Sequence, residues 1–504
     1  MTYNDLQVIC VPMKILLIYP EFPDTFWSFK HALQFIRKRA SLPPLGLLTV
    51  AAMLPETWEK RLVDMNVRSL TDADLEWADM AFVSAMAVQR QRAVAAIARC
   101  KRAGLRIVAG GPLFTAEHEQ FKDVDHFVLN EAEVTLPPFL RDLEAGCAHP
   151  VYSSAEFADM EKTPPPLWQL AETERYATMA IQFSRGCPYN CDFCNVTVLF
   201  GHRPRLKTSA QITAELDSLY SLGWRGSVFF VDDNLIGNKR VLKESLLPAL
   251  IEWRKGKSGM TFNTEVSINL ADDEQLMSLM AQAGFDMVFI GIETPSDESL
   301  AECGKKHNLS RDLVQDVKRI QRHGMQVQGG FIIGFDSDTP SIFQRQIEFI
   351  QNSGIVTAMV GLLQAPLGTR LYQRLAKEGR LLNGFSGDNV DGMTNIIPRM
   401  NAEVLHRGYR SVIQTIYAPA NYYARVRTFL REYHPPKFTV PFTAEHMLAL
   451  FRSILRLGIL GKARLEYWKL FFWTLFRRPR LFPLAITFTI YGFHFRRVVD
   501  LHVG

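Results

Sequence analysis

Short apolar runs alternate with helically spaced segments over the first third of the chain. The runs lie at residues 14–19, 61–63, 80–83, 106–109 and 126–129. Helical spacing appears between them, for example over residues 45–54 and 90–103. Alternating strands and helices predict βαβ units around a buried parallel sheet. We therefore expect a doubly wound, Rossmann-like domain with five strands over residues 13–147.

A second alternating series follows residues 148–177, which lose periodicity, contain three consecutive prolines and are interpreted as a linker. The strand-like runs of this series lie at 178–183, 227–231, 260–266, 286–292, 327–333 and 357–363. Six strands with intervening helices favour an open, partial (β/α)6 barrel over residues 178–400. After residue 400 the alternation stops, and residues 401–504 are predicted to form a mainly helical domain. The predicted fold class is α/β with a helical C-terminal region.

Residues 481–493 are almost wholly apolar. This segment is too short to span a bilayer as a helix, which needs about 20 residues. Arginines flank it on both sides, at positions 477, 478, 480, 496 and 497. Two interpretations stay open: a helix that lies in the membrane interface and a core helix of the C-terminal domain.

Composition narrows the class of protein. The chain has 504 residues, of which 47% are hydrophobic and 22% are charged. At about 100–200 residues per domain this predicts two to four folded domains and argues against disorder. A formal net charge of +5 does not indicate general binding to polyanions, so no nucleic-acid partner is expected. The N-terminus has no pattern of an export signal, which favours a cytoplasmic protein.

Three of the seven cysteines, Cys187, Cys191 and Cys194, fall within eight residues. They follow the first predicted strand of the barrel. Three thiolates from one loop are suited to hold three corners of an iron–sulfur cube and to leave the fourth iron open for a ligand. The alternative to such a cluster is a structural zinc site. A site of that kind normally has four protein ligands, and His202 is the only nearby candidate for the fourth.

The spacing C-x3-C-x2-C, with Phe193 before the last cysteine, resembles the radical S-adenosylmethionine (SAM) superfamily. The resemblance implies a [4Fe-4S] cluster on the three cysteines, SAM on the open iron, and a 5′-deoxyadenosyl radical. It also implies a low-potential electron donor such as flavodoxin or ferredoxin. Residues at successive strand ends match the SAM-binding positions of that superfamily. They are Phe193, Asp232, Asp233, Glu265, Ser267, Glu293, Gly329 and Gly330.

A doubly wound domain ahead of such a barrel resembles the cobalamin-binding class of this superfamily. The loops that the resemblance places against cobalamin contain Ser84, Met86, Gly110, Gly111, Pro112, Asn130 and Glu131. A nicotinamide cofactor is disfavoured because residues 19–24 lack G-x-G-x-x-G. The same stretch lacks D-x-H-x-x-G, and His31 is expected to be a helix residue, so we predict no histidine on cobalt. A domain that kept the fold without the cofactor is the remaining alternative.

Over nearly its whole length the chain resembles the branch that contains hopanoid C-2 methylases. The resemblance implies methylation of an unactivated carbon of a hydrophobic, hopanoid-like lipid through a 5′-deoxyadenosyl radical and methylcobalamin. It implies no catalytic residue beyond the cofactors. Two alternatives remain: a cobalamin radical SAM enzyme that oxidises or closes rings without methyl transfer, and a non-catalytic cobalamin-binding regulator. A lipid substrate would favour peripheral contact with the inner face of the cytoplasmic membrane.

Overall fold

The computed structural model describes residues 12–382, 384–388, 390–435 and 444–503. Their contacts divide them into two compact units, and each unit is described by itself. The first unit contains residues 12–23 and 43–173, and the second contains residues 24–42 and 174–503. Segment Asp24–Leu42, which lies inside the predicted 13–147 domain, therefore packs with the second unit.

The strands, in chain order, are β1 (Lys14–Tyr19), β2 (Glu59–Asp64), β3 (Met80–Ser84), β4 (Arg106–Gly110), β5 (His126–Val128), β6 (Val151–Tyr152), β7 (Thr178–Ile181), β8 (Ser184–Arg185), β9 (Arg205–Leu206), β10 (Ser227–Phe230), β11 (Thr261–Glu265), β12 (Phe285–Glu293), β13 (Gln326–Ile333) and β14 (Ala358–Leu362). The α-helices are α1 (Lys30–Leu33), α2 (Leu45–Met53), α3 (Asp72–Trp77), α4 (Arg90–Arg102), α5 (Pro112–Glu117), α6 (Ala132–Glu144), α7 (Val196–Phe200), α8 (Ser209–Ser221), α9 (Lys239–Val241), α10 (Leu247–Trp253), α11 (Glu274–Ala283), α12 (Asp297–Glu302), α13 (Leu313–Arg322), α14 (Ser341–Ser353), α15 (Arg370–Lys377), α16 (Ala402–Tyr417), α17 (Pro419–Glu432), α18 (Ala444–Ser453), α19 (Arg464–Arg477) and α20 (Phe482–Val503).

The first unit is built on a parallel sheet with strand order β2-β1-β3-β4-β5-β6. Ile15, Leu16, Leu17 and Ile18 of β1 are fully buried, as expected for a central parallel strand covered on both faces. The doubly wound fold is confirmed. The sheet has one strand more than predicted, because Val151 and Tyr152 of the expected linker pair with β5. Two residues are too few to give a recognisable pattern in the sequence.

The second unit contains a parallel sheet with the sequential order β7-β10-β11-β12-β13-β14. All six predicted barrel strands are present, and helices connect them, so the open barrel is confirmed. A short antiparallel pair, β8 with β9, brackets the loop that carries the three cysteines.

The apolar segment 481–493 is a core helix of the second unit. It forms most of α20, where Phe488 and Phe495 are fully buried. The ring of Phe495 stacks on Phe26 with centroids 4.2 Å apart. The hydroxyl of Tyr422 donates a 2.7 Å hydrogen bond to the carbonyl of Phe488. These contacts favour the core-helix interpretation over a helix lying in the membrane interface. Within the described ranges, no helix is long and apolar enough to cross a bilayer.

Candidate active site

The three clustered cysteines lie in the loop between β8 and α7 and are partly buried as free thiols. Burial raises the pKa of all three, to about 12 for Cys194. The thiolates of Cys187 and Cys191 raise the pKa of Cys194 further, so the sulfurs lie within electrostatic range of one another. A cationic cluster would offset both effects, and the donor set therefore fits one.

Among the described residues, no three His, Cys, Asp or Glu side chains are placed to hold one metal ion together. In a cubane each thiolate binds a different iron, so the three sulfurs need not meet at one point. The cysteines are therefore candidates to hold a cluster and not a single metal ion. They are Cys187, Cys191 and Cys194.

The cysteine loop is held in place by residues that follow β12 and β14. The backbone N–H of Asp192 donates to the carbonyl of Cys303 (3.0 Å), and the N–H of Leu371 donates to the carbonyl of Asp192 (2.9 Å). The guanidinium of Arg370 donates to the Asp192 carboxylate at 2.5 Å and also to the carbonyl of Asn190. Cys303 therefore supports the loop through its backbone, while burial raises the pKa of its thiol to about 12.

A polar network that contains Ser267 reaches the same loop. The Ser267 hydroxyl donates to Asn269 (2.7 Å), and its backbone N–H donates to Asn234 (3.1 Å). The Asn269 amide donates to the hydroxyl of Tyr189 at 2.9 Å. The Tyr189 ring stacks on His307 with centroids 3.8 Å apart, and burial lowers the pKa of His307 to about 3. Ser267, which the sequence predicts to bind SAM, therefore helps to hold the cysteine loop.

Carboxyl groups collect at the carboxyl ends of β10 and β11, where Asp232 is fully buried and Asp233 and Glu265 are half-buried. Burial raises the pKa of Asp232 to about 7, of Asp233 to about 6 and of Glu265 to about 8, and the charge of Asp233 raises that of Glu265 further. Asp232 accepts backbone N–H groups of Phe183 (3.0 Å) and Ser184 and so holds the turn after β7.

Next to these carboxyl groups, the hydroxyl of Thr264 is buried and has no hydrogen-bond partner among the described residues. An acidic group together with an unpartnered hydroxyl suits a ligand that brings positive charge and hydrogen-bond donors, as SAM does. The residues present therefore fit SAM, with Asp233 and Glu265 better placed to meet it than Asp232, whose oxygens are already engaged.

Glu293, another predicted SAM residue, forms a buried ion pair with Lys305. Glu293 ends β12 with a positive φ of 65°, which a non-glycine residue adopts only when its surroundings hold it. A Cβ at Gly291 would overlap both charged groups, so a larger residue there would force the pair to shift. Burial opposes the positive charge of Lys305, but the neighbouring Glu293 carboxylate raises the pKa of Lys305 above its usual range. The charge of Lys305 lowers the pKa of Cys191 against the effect of burial.

Phe193, Gly329 and Gly330 contact different parts of the barrel. Phe193 packs edge-on against Phe335, with ring centroids 6.3 Å apart. A Cβ at Gly330 would lie 2.7 Å from the Phe289 ring, and one at Gly329 would lie 2.7 Å from Phe331. Phe289 lines a cavity inside the second unit. Of the two glycines, Gly330 is therefore the one that leaves the cavity side of β13 open.

The second unit encloses a largely apolar cavity of about 510 Å³. Its walls come from segment Asp24–Leu42, from β7 and β10 to β13 and from α18 and α20. The principal wall residues are Trp27, Phe29, Met287, Phe289, Ile486, Ile490 and Tyr491, and the polar ones include Thr264 and Glu265. The cavity thus reaches the acidic end of β11. Sequence reasoning did not predict it, because three distant segments form its walls.

In the first unit, the predicted cobalamin residues Ser84, Met86, Gly110, Gly111 and Pro112 lie at and just after the carboxyl ends of β3 and β4. Ser84 pairs with Gly110 in the sheet. A Cβ at Gly111, whose φ is +90°, would lie 2.5 Å from the Ser84 hydroxyl. Met86 is 48% exposed. Glycine backbone beside an exposed methionine fits a broad, flat, partly apolar group such as a corrin.

Two further predicted cobalamin residues follow β5. Asn130 has a φ of 62°, and its backbone N–H donates to the Thr115 hydroxyl at 3.0 Å. Glu131 is buried and accepts the backbone N–H of Ala158 at 2.7 Å, which is a structural contact within the unit. His31 lies in α1 of the second unit, as expected for a helix residue, with its Nε2 3.6 Å from Asp24.

Three parts of the chain match known families. Residues 38–140 match the B12 binding domain and residues 181–350 match the radical SAM superfamily. Residues 369–503 match a domain of unknown function, DUF4070.

Two relatives cover most of the chain. An uncharacterized methyltransferase of Synechocystis sp. is 40% identical and covers 98% of this chain and 94% of its own length. The hopanoid C-2 methylase of Rhodopseudomonas palustris is 34% identical and covers 90% of this chain and 88% of its own.

The fold is also similar to that of solved structures. The cobalamin-dependent S-adenosylmethionine radical enzyme OxsB, with aqua-cobalamin bound, aligns over 97% of this chain and 81% of its own with a TM-score of 0.62 at 14% identity. The radical S-adenosylmethionine methyltransferase TsrM of Kitasatospora setae, with cobalamin and a [4Fe-4S] cluster, aligns over 90% of this chain and 98% of its own with a TM-score of 0.56 at 15% identity.

Proposed function

Because this chain belongs to the cobalamin-dependent radical SAM methyltransferases, whose cofactors are a [4Fe-4S] cluster, SAM and cobalamin, we propose that it methylates an unactivated carbon of a hopanoid-like lipid. The observation that carries the substrate class is the apolar cavity, because it reaches Thr264 and Glu265 at the proposed SAM site. Its volume of about 510 Å³ lies within the range of about 300–1,000 Å³ typical of small-molecule sites. The 34% identical hopanoid C-2 methylase supports the same class.

The contacts and burial of the residues at the strand ends support the proposed site assignments. Cys187, Cys191 and Cys194 hold the cluster. Asp233, Glu265, Thr264 and Gly330 contact SAM, while Phe193, Asp232, Ser267, Glu293 and Gly329 shape the same site through the contacts they make. Ser84, Met86, Gly110, Gly111, Pro112 and Asn130 contact cobalamin, and Glu131 supports their loop.

When bound, the cofactors supply hydrogen-atom abstraction and a methyl group. The protein supplies position and exclusion of water. Arg370 and the Cys303 backbone keep the cysteine loop in one conformation. Trp27 narrows the cavity from the side of segment Asp24–Leu42, where its Nε1 donates to the Met359 sulfur at 2.9 Å and its ring meets Phe289 edge-on at 5.4 Å. A dry apolar wall protects a carbon radical from water and from stray reductants.

The setting of the reaction is part of the proposal. A low-potential donor such as flavodoxin or ferredoxin would supply the electron that the bound cluster needs. The enzyme acts from the cytoplasm and contacts the inner face of the cytoplasmic membrane, where a polycyclic lipid resides.

The proposal is tested with reconstituted enzyme, a strong reductant, cobalamin, SAM deuterated at the methyl group, and a hopanoid. We expect a deuterated methyl group in the product, with one S-adenosylhomocysteine and one 5′-deoxyadenosine per methyl transferred. An open-chain polyprenyl hydrocarbon is the matched substrate control and should remain unmethylated. Methylation without cobalamin would refute the mechanism, and 5′-deoxyadenosine formation without label transfer to any lipid would refute methyl transfer to lipid.

A further inference from the structure

Exposed apolar side chains are concentrated on the hairpin formed by α18, the π-helical turn Ile454–Ile459 and α19. Among the described residues, nine large apolar side chains in this region are exposed: Met447, Phe451, Leu455, Ile459, Leu460, Leu465, Phe472, Leu475 and Phe476. Several are largely exposed, with Phe451 at 64%, Leu465 at 72% and Phe476 at 76%, and a cluster of exposed apolar residues is typical of an interaction surface.

Their spacing shows that they form continuous faces. Met447, Phe451, Leu455 and Ile459 are four residues apart, which places them on one side of the helix. On α19 the opposite side carries Tyr467, Leu470 and Thr474, all fully buried. The Tyr467 hydroxyl lies 2.9 Å from the Ser453 hydroxyl, and Trp468 Nε1 donates to the carbonyl of Gly458 at 2.9 Å. The two helices are thus packed together, with apolar rows facing outward.

The same hairpin is strongly basic. Residues 447–480 contain eight Lys or Arg residues and one acidic residue, Glu466. Glu466 is paired with Lys469 at 2.7 Å and with Arg427 at 3.7 Å. The exposed basic residues are Arg456, Lys462, Arg464, Lys469, Arg477 and Arg480. The positive charge therefore has little acidic compensation on this surface.

The cavity opens beside this hairpin. Ala449 and Leu450 of α18 line the cavity, whereas their neighbours Met447 and Phe451 are exposed. His446 and Pro483, at the starts of α18 and α20, both line the cavity and are exposed. One helix thus has one side toward the cavity and another toward solvent.

We propose that the outward face of the α18–α19 hairpin is a docking surface for a bilayer that contains anionic lipid, beside the entrance through which the substrate reaches the cavity. This proposal rests on the proposed function for the identity of the substrate, but docking itself does not require methyl transfer. Apolar side chains enter the acyl region while basic ones meet the headgroups. A second copy of the chain fits this surface poorly, because pairing it with itself would bring positive charge against positive charge.

The test is flotation of the full chain, without added cofactors, with vesicles of phosphatidylcholine alone or mixed with phosphatidylglycerol. We expect flotation with the anionic vesicles. The double variant Phe451→Ser/Phe476→Ser should bind about tenfold more weakly or worse, since each phenyl group loses an apolar environment. Lys462→Gln/Arg464→Gln should also weaken binding to anionic vesicles about tenfold or more. The matched control Val94→Ser/Phe157→Ser, which changes residues 50% and 47% exposed in the first unit, should float like the wild type.

Three outcomes would overturn the proposal: no flotation of the wild type, equal loss in the control variant, or a wild-type dimer in sedimentation that Phe451→Ser/Phe476→Ser converts to monomer.

A methylation assay separates this proposal from the proposed function. The docking variant should methylate detergent-dispersed substrate at the wild-type rate and vesicle-borne substrate about tenfold more slowly or worse. Absence of methylation in both formats, with flotation intact, would refute the proposed function alone.

Discussion

The carboxylate of Glu293 accepts a hydrogen bond from the ammonium of Lys305, and both groups are buried beside the cysteine loop. The charge of Lys305 also acts on Cys191, so this pair joins the end of β12 electrostatically to the cluster site. Breaking a buried pair from one side leaves the other charge without compensation, which costs about 3–5 kcal/mol.

We therefore expect Lys305→Met to lower the thermal unfolding midpoint of the apo protein clearly and to reduce iron retention after reconstitution. The double variant Lys305→Met/Glu293→Gln should recover much of the stability, because the unpaired carboxylate is then gone. Lys306→Met, which changes an exposed neighbour, is the control. Equal midpoints for Lys305→Met and Lys306→Met would contradict the importance of the pair.

Glu265 should contribute to SAM affinity. Its carboxyl lies at the cavity end of β11, and its pKa is raised to about 8. A cationic ligand would stabilise the ionised carboxylate and so lower this pKa. We expect Glu265→Gln to weaken SAM binding about tenfold, the effect of losing one charge-assisted interaction. Equilibrium dialysis of the reconstituted protein measures this.

The absorbance of the cluster should be unchanged in Glu265→Gln. Asp286→Asn provides the matched control, because Asp286 is a carboxyl of the same barrel whose pKa burial raises to about 7, but it lies at the amino-terminal end of β12. An equal loss of SAM affinity in both variants would indicate a general effect on the fold rather than a contact.

The cavity should govern the coupling between SAM cleavage and methyl transfer. Ile490 lines it from α20, so Ile490→Trp would fill part of the volume of about 510 Å³. We expect product formation to fall about tenfold or more, since the larger indole would occupy space that the substrate needs. Formation of 5′-deoxyadenosine without substrate should be unchanged. Leu484→Trp, on the same helix but outside the cavity lining, should remain close to wild type; if both variants lose product equally, the cavity is not the substrate site.

His494 should make the second unit less stable in mild acid. Burial lowers its pKa from 6.5 to about 4, while its Nε2 lies 3.0 Å from the carbonyl of Phe26. The unfolded chain therefore takes up this proton more readily than the folded chain, and stability falls as the pH drops from about 6.5 toward about 4. At pH 5 the linkage amounts to about 2 kcal/mol.

Thermal unfolding of the wild type and of His494→Gln at pH 7.5 and pH 5 measures this effect. The midpoint of the wild type should fall more between the two values than that of the variant, which has no imidazole to protonate. His307, whose pKa is lowered to about 3, contributes equally to both proteins and so cancels from the comparison. Identical acid sensitivity of the two proteins would contradict the prediction.

Features that depend on neighbouring positions in the chain were predictable. The six barrel strands appear as apolar runs because parallel strands are buried on both faces. Cys187, Cys191 and Cys194 could be grouped because one loop carries all three. The same locality explains why Ser84 and Gly110, each at the end of an apolar run, were placed at one edge of the sheet before the structure brought them together.

Features that depend on which distant segments meet were decided by the tertiary structure alone. Nothing in the local sequence indicates that Lys305 pairs with Glu293, because the two residues are 12 positions apart. Segment 481–493 suited a membrane interface and a core helix equally by composition, and the burial of Phe488 together with its contact with Tyr422 made the segment a core helix. The exposed apolar surface lies instead on α18 and α19. The presence of an apolar side chain in the sequence shows only that burial away from water is favourable there. Long-range packing determines whether other parts of the protein cover that side chain or leave it exposed.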